Sequence, residues 1–171
     1  MSLTDIHERA ARFQSRIRLR NLIEYAAGGI VIFAFGAIAL ETPDVGVRIG
    51  VALIILGVLY IHWRLATLAG AAAKDPSVAW AEFHRAELVR QRDAMRSVWA
   101  WYLAPLSPGA IVYIAACAFA PSVDLPFAAR LAFALLGAAW VAGVFFGVAW
   151  LNRRRAEKLD AEIAALDHAR E

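Results

Sequence analysis

One cysteine occurs in the chain, Cys117, and it lies inside an apolar run. It excludes an intramolecular disulfide and a cysteine-based metal site. Charge is the second scarcity: 19% of the residues are Asp, Glu, Lys or Arg against 61% apolar, a balance that water-soluble domains do not show. The apolar excess has to be solvated by lipid. The scarcity is concentrated in four runs, residues 21–40, 47–63, 99–120 and 127–150, whose middles hold no Asp, Glu, Lys, Arg or His. A charge at that depth costs about 2.5–3.5 kcal/mol on insertion scales, and transporters that carry one expose it to a pathway. There is no Gly-rich phosphate loop, no activated-serine motif and no HExxH, so no residue pattern argues for an enzyme or calls for a cofactor.

What is present reads as an all-α integral membrane protein, a four-helix bundle of two transmembrane hairpins with amphipathic cytoplasmic helices. Residues 1–20 place Leu3, Ile6, Ala10, Phe13 and Ile17 on one helical face, with arginines over much of the rest. Two readings fit this segment: a basic helix lying on anionic lipid, or a cytoplasmic extension of the first span. The three-and-four spacing is closer to a coiled-coil seam than to a wide lipid-facing arc, which favours the extension. The run that follows is too long for the core of a removable signal. It is therefore read as a permanent span over 21–40. Pro43 and Asp44 break it, and a second span covers 47–63, completing a first hairpin over 21–63 with Arg48 reaching outward.

The long polar interval of residues 64–98 divides the two hairpins. Asp75 and Pro76 form an N-cap followed by Pro at the first helical position, which predicts a helix to about Ser97. Trp80, Phe83, Leu88, Met95 and Val98 share one broad side of it. Arg85, Arg92, Asp93 and Arg96 form a mixed-charge face and are the candidate interaction surface. His84 and Glu87, at i and i+3, have no further ligand at suitable spacing, so no metal site is expected. The second hairpin, 99–150, has spans over 99–120 and 127–150. Pro105 and Pro108 should re-aim the entry to its first span. In the last span Ala139, Gly143 and Gly147 recur every four residues and predict a close helix-packing seam. Residues 151–171 continue as a polar helix whose stripe of Ala156, Leu159, Ile163 and Leu166 is fitted to zip against the N-terminal stripe. Glu24, one turn inside the first span, is expected in an interfacial ion pair, with Arg64 the leading partner.

Of 18 Lys and Arg residues only Arg48 and Arg130 belong to the short turns. By the positive-inside bias both termini and the middle interval face the cytoplasm. Acids are interleaved among the central arginines and that segment is tethered at both ends, so anionic headgroups rather than nucleic acid explain its charge. The run from Glu87 to Asp93 (ELVRQRD), that from Ser97 to Leu103 (SVWAWYL) and that from Pro105 to Gly109 (PLSPG) resemble a block found in small multi-pass membrane proteins of proteobacteria. Arg20-Asn21 with Glu24-Tyr25 is similar to the entry of their first span. The resemblance covers about a third of the chain and implies a bacterial inner-membrane location, with no activity attached. The expected partners are the lipid bilayer, a cytoplasmic protein meeting the arginine face, and a second copy of the chain. The functional expectation is a non-enzymatic membrane-anchored interaction or regulatory module, with a small oligomeric transporter or channel subunit as the alternative.

Overall fold

The structure, a computed structural model, describes residues 3–68 and 80–168, and every regular element in them is helical. The helices are α1 (Leu3–Glu41), α2 (Val45–Leu68), α3 (Trp80–Arg96), α4 (Ser107–Phe119) and α5 (Phe127–His168). The expected helix start at Asp75 and Pro76 lies outside the described residues, as do the side chains of the N-terminal stripe. Four helical stretches are long and apolar enough to cross a membrane: Asn21–Glu41, Val45–Thr67, Trp99–Phe119, and the apolar part of α5. Phe33 is 81% exposed, Leu40 86% and Trp140 75%, and side chains of this kind at such exposure need an apolar solvent.

Helix α1 runs through Arg20 without a break, so the amphipathic N-terminal segment and the first apolar run are one rod about 58 Å long. Helix α5 likewise passes unbroken from its apolar part into the polar tail and is about 63 Å long. Both exceed the roughly 30 Å of a hydrocarbon core, so each carries a polar end beyond it. The two short connections are tied by the lone arginine of each. Asp44 Oδ1 accepts the Val47 N–H at 2.9 Å and caps α2, and Arg48 Nε donates to the Thr42 carbonyl at 2.9 Å. Arg130 Nε donates to the Leu125 carbonyl at 2.9 Å, and its NH2 to that of Val123.

Helix α2 is the centre of the apolar region. Val47, Val51, Ile54, Val58, Ile61 and Leu65, alternating four and three apart, are all buried, and α2 packs on both α1 and α4. The closest helix approach is between α2 and α4. A Cβ added at Gly50 would stand 2.6 Å from the Tyr113 backbone, one at Gly109 2.6 Å from the Ile54 nitrogen, and one at Gly57 2.8 Å from the Pro105 carbonyl oxygen. Numbers rise along α2 as they fall along α4, so the two helices run antiparallel and glycines from both sides let the backbones meet.

The seam expected at Ala139, Gly143 and Gly147 is therefore not where the helices of one chain approach. Ala139 is exposed, and nothing lies within 4 Å of a Cβ at Gly143 or Gly147. The glycine of α5 that does face α4 is Gly137, whose Cβ position is 3.3 Å from Ile114 Cγ2. Ala139, two residues on, points to the other side of the helix.

The entry to α4 is re-aimed as its prolines require. Residues Trp99–Leu103 form a π turn in which the Ala104 N–H bonds the Trp99 carbonyl. Ala104–Leu106 form a 3-10 turn closed by the Ser107 N–H on the Ala104 carbonyl. Pro105 has no N–H to continue an α ladder. The Leu103 carbonyl, passed over by the tighter turn, accepts the Ser107 hydroxyl at 3.0 Å.

Candidate functional site

Two groups of polar side chains stand out, one at the polar end of the molecule and one among the apolar helices. The first is built from α3 and the last part of α5, which lie antiparallel. Arg85 makes a two-pronged contact with Asp167, Nε to Oδ1 at 2.7 Å and NH2 to Oδ2 at 2.9 Å. One heptad on, Arg92 NH1 donates to Asp160 Oδ1 at 3.4 Å, and Arg96 NH2 donates to Asp160 Oδ2 at 2.7 Å. Arg92 also holds Asp93, its neighbour in sequence, through Nε at 2.9 Å. Leu88, Gln91, Ala156 and Ile163 are buried within the described part of this pair.

The arginines of the mixed-charge face read as open to a partner are thus engaged by aspartates in the tail of the same chain, while Asp93 and Arg96 stay exposed. The tail's apolar stripe packs against α3, with Ala156 and Ile163 buried. The cause is spacing: Asp160 and Asp167 are seven apart, as are Arg85 and Arg92, so two turns of each helix present opposite charges in register. The Asp167 carboxylate raises the Arg85 pKa above its already high ordinary value, by its hydrogen bond first and its charge second. Arg92 is raised chiefly by its hydrogen bond to Asp93. Glu87, buried beside Leu88, is held by Arg90 NH2 at 2.7 and 2.8 Å and by Gln91 Nε2 at 3.2 Å. Its carboxylate is engaged on α3 itself.

The second group surrounds Glu24. The Tyr102 hydroxyl donates to Glu24 Oε2 at 2.9 Å. The ring of His62 lies 5.1 Å from that of Tyr25, and Nε2 is 3.4 Å from the Glu24 carbonyl oxygen, donating to it in the tautomer that protonates Nε2. The imidazole reaches that carbonyl because residue 28 is glycine: a Cβ there would overlap the ring. The expected pair of Glu24 with Arg64 does not form. Among the described residues Glu24 makes no ion pair, and Arg64 Nε is buried without a hydrogen-bond partner. Tyr102, within the π turn, presents its phenol to α1 where a charged partner was expected.

Glu24, His62 and Tyr102 share one wall of a cavity of about 240 Å³. Residues of α1, α2, α4, α5 and the 99–106 segment all line it, and beyond those three side chains the lining is apolar. The two groups are joined through the same turn. Trp101 Nε1 donates to the Ala94 carbonyl at 2.8 Å, locking the end of α3 to the residue before Tyr102. Sequence reasoning named Glu24 and looked to Arg64 for a charged partner, so it missed the phenol of Tyr102. It also missed Asp160 and Asp167, whose seven-residue spacing was the available signal. Comparison with family models, with curated proteins and with solved structures finds no match to this chain.

Proposed function

We propose that this protein is a non-enzymatic, multi-pass protein of a bacterial inner membrane that works as a membrane-anchored interaction or regulatory module. Both termini and the α3–α5 pair face the cytoplasm in this reading, and the four apolar stretches form two hairpins of a bundle. The observation that carries it is the α3–α5 clasp itself. Two helices continuous with apolar stretches meet outside them through Arg85–Asp167 and Arg92/Arg96–Asp160, and contacts of this exposed kind are individually weak. A partner carrying carboxylates competes with Asp160 and Asp167 for the same arginines. Binding and clasp opening are then one event.

The test is copurification from native membranes in mild detergent with three variants. Charge reversal at Arg85, Arg92 and Arg96 is expected to lose the partner. D160N/D167N, which frees the arginines, is expected to recover more of it than wild type. Exchange of the charges across the clasp (R85D/R92D/R96D/D160R/D167R) restores opposite charges at each contact between the helices but is expected to lose the partner. Equal recovery in all four forms, or none in any, would overturn the reading. The second reading is a small oligomeric transporter or channel subunit, and the carboxylate in the cavity is what favours it. It predicts flux in sealed vesicles that disappears with E24Q.

A further inference from the structure

The geometry points to the cavity between the apolar helices as a binding site for a small lipophilic ammonium ion, held by Glu24. This goes beyond the interaction reading and does not depend on it. Three observations lead there.

The first is the position of the charge. Across residues 21–40, 45–64, 99–119 and 127–150, Glu24 is the only Asp or Glu. An acid on an apolar helix is costly and is ordinarily paired or turned to a cavity. Here it turns to a cavity, and among the described residues the partner of its carboxylate is a neutral phenol, not a cation.

The second is the polarity of the neighbours. The Tyr102 O–H is spent on Glu24, which leaves the phenol oxygen as an acceptor. With Nε2 of His62 donating to the Glu24 carbonyl, the other ring nitrogen is an acceptor as well. An ammonium brings up to three N–H donors and one positive charge, which is what this set lacks. A carboxylate or phosphate ligand would meet Glu24 with like charge, and a neutral hydrocarbon would leave it unmatched.

The third is size and lining. About 240 Å³ is below the usual range of drug-sized pockets and leaves room for a short alkyl chain. Val31, Ile54, Val58, Leu106 and Phe145 are walls for such a chain. Gly28 keeps the imidazole back against α1 and so holds the space open.

The experiment is equilibrium dialysis of the full chain in phosphatidylcholine nanodiscs, with empty discs as the partition control, using octylammonium, octanol and octanoate as probes. Octylammonium is expected to show saturable binding, one per chain, above the empty discs, while octanol and octanoate show none. E24Q is expected to weaken octylammonium by about tenfold or more, the loss of a charge-assisted contact. A110L leaves the carboxylate in place and adds three carbons to the cavity wall; it is expected to lose binding too. Octanol or octanoate binding as well as octylammonium would overturn the proposal with no variant needed. So would the absence of any excess over empty discs, undiminished binding in E24Q, or undiminished binding in A110L.

Discussion

The α2–α4 contact and the α3–α5 contact are both antiparallel helix pairs in one small chain, and they are held together by different physics. Where α2 meets α4 and the 3-10 turn that leads into it, the backbones touch through Gly50, Gly57 and Gly109. Where α3 meets α5 the helices are held apart by side chains, with Leu88, Ala156 and Ile163 inside and arginine–aspartate pairs around them. In lipid, burying one more leucine gains little because the solvent is as apolar as the contact, so close packing has to supply the attraction. In water the same leucine gains its transfer free energy, and glycine would only weaken the helix. The change of solvent along the chain is thus written in which residue type sits at the seven-residue positions of each pair.

Filling the α2–α4 seam should have the largest effect. Gly50→Val puts its side chain against the Tyr113 backbone, which cannot rotate away, and is expected to destabilise by more than about 3 kcal/mol. Gly143→Val, with open space at its Cβ, is expected within about 0.5 kcal/mol of wild type. Reversible unfolding in mixed micelles measures both. Equal tolerance at the two positions would break the comparison, and loss of self-association in Gly143→Val would show the open seam serving a second copy. Next in size is Leu88→Ala. Leu88 is fully enclosed between α3 and α5, and the substitution is expected to cost about 2 kcal/mol, the low end for a buried leucine because a two-helix contact can close up partly. Hydrogen exchange should show the loss in α3 and in residues 156–168 while α2 keeps its protection.

Smaller still is Gly28→Ala. Its new methyl meets the far end of the His62 side chain rather than backbone, so the ring can swing aside at about 1 kcal/mol. The imidazole resonances of His62 should move while the α2–α4 seam stays as it was. Unmoved resonances would mean that the ring does not rest on α1 at all.

These contrasts also show what the sequence made legible. The four apolar stretches, the break at Pro43 and the re-aimed entry at Pro105 follow from properties local to a few residues, and each is visible in a single window. The two contacts are not. Gly143 and Gly147 make a more regular small-residue repeat than Gly50 and Gly57 with Gly109, yet only the latter meet a neighbour. Which face of a helix turns inward depends on where its neighbours stand, and no single window of sequence contains them. The Arg85 and Arg92 face was legible as a charged surface. Its occupant was not, because Asp160 and Asp167 lie some seventy to eighty residues away and only a shared spacing of seven connects them. Glu24 was conspicuous as an acid in an apolar run, but its Tyr102 partner arrives from a turn whose geometry no hydropathy pattern encodes.

The smallest expected effect separates the two contacts most cleanly. Arg85 and Asp167 are 41% and 43% exposed, so their attraction is screened, and raising the salt from about 0.1 M to about 1 M shortens the screening length from roughly 10 Å to roughly 3 Å. The α3–α5 amides should exchange modestly faster at high salt, while those of α2 and α4 do not change. Alkaline pH is the wrong lever for the same contact. The Arg85 pKa is raised in the folded chain, so its contribution is fully present below the unfolded value and is lost only as pH rises through the folded one, far above neutrality. Leu88 keeps its burial at any salt, which is why the clasp is expected to loosen rather than open. A salt response that was equal in both helix pairs would show the ion pairs to be ornament on an apolar contact. A response confined to α3 and the tail of α5 would show them holding the clasp at the strength a competing carboxylate can match.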